Sequence, residues 1–331
     1  MSDPLSRPDD GAASELLPAP TGRAAVDDQL LMAAVAKRYY FDNRTRVQLA
    51  DEFAVSRFKV SRLLEAAVSS GIVRISIVLP ESVDADLSLR LREKFALDRA
   101  LVAAVRDTSP SGVREVLGRA AAALLSDIVT DEDVLGVTSG RTIDAVARHL
   151  TRLAGCEIIQ LTGMSGDLSD NPVEVLRRVA VLSGGQARSI YAPLTVATSE
   201  AASALKTDPR ISDAFDRFAS VTIAVAAVGS WDPPESRFYD GLSRSDRERL
   251  LALDVLADVG GALLDRQGQP VHEFDDRILG ASAEQLAAMD QVIVVGGGTR
   301  KTQAIRAALR SGLVTSLITD DAVALALLAG D

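Results

Sequence analysis

The residues best suited to chemistry in this sequence are cations and glycines rather than nucleophiles. Between Arg44 and Arg74 lie six basic residues (Arg44, Arg46, Arg57, Lys59, Arg62 and Arg74) against three acidic ones, Asp51, Glu52 and Glu65. Arginine near a helix N-terminus can pair with both acceptors of a guanine edge, while lysine and serine more often hold phosphate. Arg46, Ser56, Arg57, Phe58, Lys59, Ser61 and Arg62 are therefore the candidate DNA contacts. The segment is +3 within a chain of net charge −10, which leaves −13 elsewhere. Exposed charge is screened beyond about 8–10 Å at physiological salt, so a basic module on an acidic body can still grip phosphates.

Three glycine-bearing loops follow apolar runs and open helical patterns. The first is Gly136-Val137-Thr138-Ser139-Gly140-Arg141-Thr142, where Thr138, Ser139 and Thr142 add hydroxyl donors. Such a turn suits phosphates and polyols, because glycine lets the backbone approach and the helix N-terminus offers unpaired N–H groups. The second is Gly163-Met164-Ser165-Gly166, leading past Asn171. The third is Gly296-Gly297-Gly298-Thr299-Arg300-Lys301, which matches neither the P-loop spacing nor the dinucleotide fingerprint. Lys301 falls in the first turn of its helix, where a cation opposes the macrodipole. An anionic ligand would explain it, and an exposed lysine without a role fits the sequence equally well.

Metal and thiol chemistry find little support. His149 and His272 lie far apart without ligand spacing, so no zinc site and no cofactor are expected. The lone Cys156 heads the apolar run Cys156–Leu161 and reads as a small core residue. One cysteine forms no internal disulfide, which fits a reducing compartment. No apolar run approaches the roughly 20 residues of a membrane span, and the N-terminus lacks the order of a secretory signal. A cytoplasmic protein without a membrane partner is the expectation.

The elements that must position these residues are legible in outline. At 331 residues the chain has room for two domains. Residues 1–25 hold four of the twelve prolines and read as a disordered tail. Leu30, Leu31, Ala34, Val35 and Tyr39 share one face of a helix over Asp27–Phe41. Thr45 with Gln48 forms a capping-box pattern for a second helix to about Phe53. Ser56 caps a third, to about Ser70. Leu49, Ala50, Val55, Val60, Leu63 and Leu64 have the spacing of a helix-turn-helix core. The β-branched run Ile72–Val78 predicts a wing strand closed by Pro80. Asp84–Phe95 predicts an amphipathic linking helix and a candidate dimerisation surface. Beyond it, strands are expected at Ala100–Val105, Val134–Thr138, Glu157–Thr162, Arg188–Ala192, Val221–Val228, Gln291–Gly296 and Thr315–Thr319. Their alternation with helical patterns predicts an α/β fold with a doubly wound, mostly parallel sheet.

The run from Tyr39 through Ile75, containing Ser56-Arg57-Phe58-Lys59-Val60-Ser61-Arg62-Leu63-Leu64, resembles the N-terminal domain of the SorC family of sugar-binding transcriptional regulators. So do Gly136–Thr142, Gly297–Leu309 and Leu317–Asp321, in the family's order. The resemblance implies a winged helix-turn-helix followed by a sensor domain shaped like sugar-phosphate isomerases. It also implies an effector site using Thr138, Ser139, Gly140, Thr142, Gly163, Ser165, Asn171, Asp258 and Lys301. Three departures stand out. Ala54 replaces a turn glycine, Ser139 replaces a frequent tryptophan, and Gly261-Ala262-Leu263-Leu264-Asp265 replaces Gly-Arg-aromatic-aromatic-Asp. Losing the ring and the cation predicts a larger, less positive pocket, and hence an effector with less phosphate or none.

The expected organisation is a tail over 1–25, a DNA-binding domain over 26–80, a linker and dimerisation helix over 81–96, and an effector domain over 97–331. The partners would be a double-stranded operator, a sugar, polyol or sugar phosphate, and further copies of the chain, a tetramer by resemblance. The competing reading is a sugar-phosphate isomerase-like enzyme, with Asp258 and Lys301 as its acid–base pair. That reading leaves the basic helix-turn-helix without a use.

Overall fold

The computed structural model describes residues 23–74, 83–165 and 172–330, in two compact units that divide between Val78 and Leu79. Residues 1–22 of the expected tail, most of the wing strand with Pro80, and Gly166 and Asn171 lie outside the described residues.

The first unit holds helices α1 (Arg23–Tyr40), α2 (Arg46–Glu52) and α3 (Arg57–Ser69). Val35 and Ala36 of α1 pack with Leu49 and Ala50 of α2 and with Val60, Leu64 and Ala67 of α3. Leu31, Tyr39, Val55 and Leu63 flank this core, but Leu30, expected on the same face, is exposed. Both halves of the capping box form: Gln48 N donates to Thr45 Oγ1 at 3.3 Å and Thr45 N to Gln48 Oε1 at 2.9 Å. The turn keeps a left-handed residue at Ala54, with φ 52°. The chain therefore accepts the backbone cost of alanine there rather than reshaping the turn.

Among the described residues the second unit has eleven strands. In chain order these are β1 (Val83–Asp84), β2 (Arg99–Ala103), β3 (Val134–Val137), β4 (Glu157–Gln160), β5 (Ala187–Arg188) and β6 (Ile223–Trp231). They continue with β7 (Pro234–Glu235), β8 (Val255–Val259), β9 (Ala262–Asp265), β10 (Gln291–Val295) and β11 (Ser316–Asp320). The main sheet runs β1-β2-β11-β10-β6-β3-β4-β5, parallel throughout except for β1. Its inner strands β6 and β10 are apolar on both faces, as a sheet covered on both sides requires. In β6, Ala224, Ala226 and Val228 join one core, while Ile223 and Val225 join the other. In β10 the same alternation sends Val292 and Val294 one way and Ile293 and Val295 the other.

Two features were not expected. The long β6 leaves the parallel sheet and pairs antiparallel with β7 and β8, and β8 turns back into β9. This excursion has a core of its own, in which Trp231, Phe238 and Phe274 pack with Leu250, Leu263 and Ile278. The strand expected at Arg188–Ala192 shrinks to the two residues of β5, because Gln160 intervenes. The Gln160 side-chain oxygen accepts from Ser189 Oγ at 2.8 Å and Ile190 N at 3.1 Å, replacing ladder bonds.

Helix α4 (Ala85–Lys94) occupies the expected linker, yet it belongs to the second unit. Leu87 and Leu91 enter that unit's core, and Ser88 Oγ accepts from Val102 N of β2 at 2.9 Å.

Candidate effector cleft and DNA-facing helix

The carboxyl ends of the parallel strands carry the loops that form a cleft of about 150 Å³. Open α/β sheets place ligands there, outside the strand ends. Thr138, Ser139, Gly140, Thr142, Ser165, Asp258 and Lys301 all line it, joining strands far apart in sequence. Gly163 does not. Its role is close packing, since a Cβ would come within 2.6 Å of the Pro193 carbonyl oxygen.

Each loop has a local reason for its shape. Gly140 has φ 139° and ψ 160°, a backbone state that only glycine adopts readily, and it starts α6 (Arg141–His149). Ser139 lines the cleft within a hydroxyl cluster. Its N–H donates to Thr162 Oγ1 at 3.0 Å, and its hydroxyl lies 3.2 Å from the same atom and 3.5 Å from Ser165 Oγ. The Gly296–Gly298 loop is held from beneath by Asp320. That buried carboxylate accepts from Gly298 N at 2.6 Å through one oxygen, and through the other it caps the helix Asp321–Ala329 at Val323 N. A Cβ on Gly297 would lie 2.4 Å from the same carboxylate.

Asp258 lies on the β8 side of the cleft, where burial raises its pKa. Its Oδ1 accepts from Trp231 Nε1 at 2.9 Å and from the Ser236 hydroxyl, and those bonds with the Lys301 charge favour the ionised form. Gly229 makes room for it, because a Cβ there would meet Asp258 Oδ1 at 2.2 Å. Lys301 ends a single 3-10 turn, and its ammonium donates to the Val228 carbonyl at 2.8 Å. Burial lowers its pKa, opposed by Asp258 and Glu235. The Val228 carbonyl thus offsets part of the helix-end disadvantage.

The sequence reading missed three arginines that line the cleft: Arg114 on α5 (Pro110–Ile128), Arg141 at the start of α6, and Arg237 after β7. Arg114 has its pKa lowered, first by burial and then by the Arg141 charge, so the positive groups sense one another. Arg114 and Arg141 form no ion pair or hydrogen bond among the described residues, whereas Arg300 is taken by Glu235 at 2.5 Å. The expectation of a less positive pocket did not count these cations. Ala262 and Leu263 are buried in two different cores and do not line the cleft. Arg141 was visible inside the first glycine loop; Arg114 and Arg237 carried no motif.

On the first unit, the Ser56 hydroxyl accepts from Lys59 N at 3.1 Å and caps α3. Arg57, Phe58, Lys59 and Arg62 are exposed, and Ser61 is half-buried. The three cations form no ion pair among the described residues, while Arg38 on α1 pairs with Glu52 at 2.8 Å. Arg46 lies 5.9 Å over the Tyr39 ring at the start of α2. No helix among the described residues is long and apolar enough to cross a membrane, and no cluster of His, Cys, Asp and Glu there could hold a metal ion.

Comparison with known proteins places this geometry. Residues 81–329 match the family model described as "Putative sugar-binding domain". The chain is 30% identical to the uncharacterised transcriptional regulator YjhU of Escherichia coli K12, over 92% of this chain and 95% of that one. It is 29% identical to the transcriptional regulator LsrR of Klebsiella pneumoniae, over 92% and 94%. The full-length sorbitol operon regulator SorC of Klebsiella pneumoniae shares the fold, with TM-score 0.68 at 20% identity, over 91% of this chain and 99% of that one.

Proposed function

Because the chain belongs to the SorC family of sugar-binding transcriptional regulators, we propose that α3 reads an operator and that a carbohydrate-type effector in the cleft controls that binding. The chain is a regulator rather than an isomerase-like enzyme, as its named relatives are. The observation that carries the reading is the set of cations, Arg57, Lys59 and Arg62, that have no ion pair among the described residues and stand in the first two turns of the capped α3.

Arg57 and Arg62 take base edges in the major groove; Lys59, Ser61, Ser56 and Arg46 take phosphates; Phe58 adds an apolar contact. Two copies present paired α3 helices to a two-fold operator, within a tetramer. Leu89, exposed on α4, leaves that helix available as a contact between copies.

In the cleft, the hydroxyls of Thr138, Ser139, Thr142 and Ser165 and the carboxylate of Asp258 suit a polyhydroxylated ligand. Arg114, Arg141 and Lys301 supply more positive charge than Asp258 and Glu235 offset. An effector that carries an anionic group as well as hydroxyls therefore fits better than a neutral polyol. Such a ligand acts by favouring one of two arrangements of the assembly, and it shifts that equilibrium only by its differential affinity for them.

The test is a mobility-shift titration against genomic fragments at two salt concentrations, with lanes containing sugars, polyols and their phosphates. We expect tight binding to one fragment, weakened by orders of magnitude between low and moderate salt, lost in Arg57→Ala and altered by one phosphorylated ligand. Failure to bind any fragment, with or without ligand, would overturn the operator reading. A response to a neutral polyol alone, unchanged in Arg114→Ala, would overturn the anionic effector.

A further inference from the structure

Phe58 is the second residue of α3 and is 74% exposed between two cations. The helix buries Val60, Leu64 and Ala67 toward the core of its unit. At about 100° per residue, Phe58 and Arg62 fall one turn apart on the opposite face, away from that core. The Ser56 cap fixes the first turn, so the ring is presented from an ordered backbone. The surface around it is cationic: Arg57, Lys59 and Arg62 have no acidic partner among the described residues. That charge suits a polyanion far better than an apolar protein surface.

A major groove offers one apolar group at its base edges, the C5-methyl of thymine, and phenylalanine is among the side chains that contact it. We propose that Phe58 reads a thymine methyl in each half-site, adjacent to the base pair taken by Arg62. The inference rests on the operator reading and deepens it by naming a base. Phe58 is then a specificity-determining residue, because it rewards thymine over cytosine and over uracil at one position. Burying one methyl group is worth about a fourfold change in affinity per half-site.

The experiment selects preferred sites for the full-length protein from a randomised duplex library. It then replaces each thymine of the selected site by uracil, one half-site position at a time, at fixed salt. The wild-type protein is expected to lose about fourfold at one position and little elsewhere. Phe58→Ala should bind the thymine site no better than wild type binds the uracil site, and should ignore the replacement. Phe58→Leu, which keeps an apolar side chain, should retain part of the discrimination. Selection of a site at which every uracil is silent, or an unchanged thymine-to-uracil ratio in Phe58→Ala, would overturn the inference and leave the operator reading intact. Enrichment of no sequence at all would overturn both.

Discussion

Individual residues in this chain carry costs that substitution can expose. Ala54 holds φ 52° in the turn before α3, where alanine is less favourable than glycine by about 1 kcal/mol. Ala54→Gly is expected to stabilise the first unit by about that amount, read as a higher urea midpoint; a lower midpoint would mean that its methyl group packs usefully. In the second unit, Arg277 binds both oxygens of Asp246, at 3.0 and 3.1 Å, and stacks 4.4 Å over Phe274. The Arg277 guanidinium holds the Asp246 carboxyl below its ordinary value. A carboxylate of this kind stabilises the fold fully above the unfolded-chain value of about 3.9, and the benefit fades as pH falls through the lower folded value. Asp246→Asn should therefore cost about 1 kcal/mol near neutral pH, after solvent screening, and almost nothing in acid. An equal penalty at both pH values would assign the loss to packing instead.

At the scale of elements, the site depends on how strands hand over to helices. Asp320 ends β11, caps the following helix and holds the Gly297–Gly298 backbone, so one carboxylate joins stability to the shape of the cleft. Asp320→Ala should lower the melting free energy by about 2 kcal/mol, from the lost cap and the uncompensated loop N–H. It should also weaken effector binding. Loss of stability with unchanged affinity would show that the loop keeps its form without the carboxylate. The β8–β9 hairpin illustrates a signal present in the sequence and not used. Gly260-Gly261, flanked by Val255–Val259 and Ala262–Asp265, is a two-residue hairpin pattern, and both glycines have positive φ, 57° and 100°. Recognising it would have placed Asp258 on a strand beside β6 and turned Ala262 and Leu263 away from the cleft.

For the whole molecule, the division at Val78 and Leu79 predicts separable activities. A fragment of residues 79–331 should fold by itself, because α4 supplies Leu87 and Leu91 to its core and β1 pairs with β2 at the sheet edge. It should bind effector without binding DNA. Effector at about 100 times its Kd should stabilise the fragment by about 2.7 kcal/mol, measured as a rise in melting temperature. A fragment that aggregates, or melts unchanged with a ligand the full chain binds, would show that the units need one another.

The sequence alone determined what local spacing can encode. The three helices of the first unit were legible because their caps and apolar period lie within fifty or so positions, and the glycine loops marked most of the cleft because close backbone approach demands glycine. The parallel sheet was legible because strands covered on both faces are apolar runs of recognisable length. Tertiary structure decided the rest. Arg114, Arg237 and Ser236 reach the cleft from elements far from the glycine loops, and Trp231 holds Asp258 from the adjoining core; nothing in their own neighbourhoods announces it. The membership of α4 in the second unit and the bend of β6 into an antiparallel layer are likewise set by long-range pairing. An amphipathic period fixes that a face is buried, but only the assembled fold fixes against what.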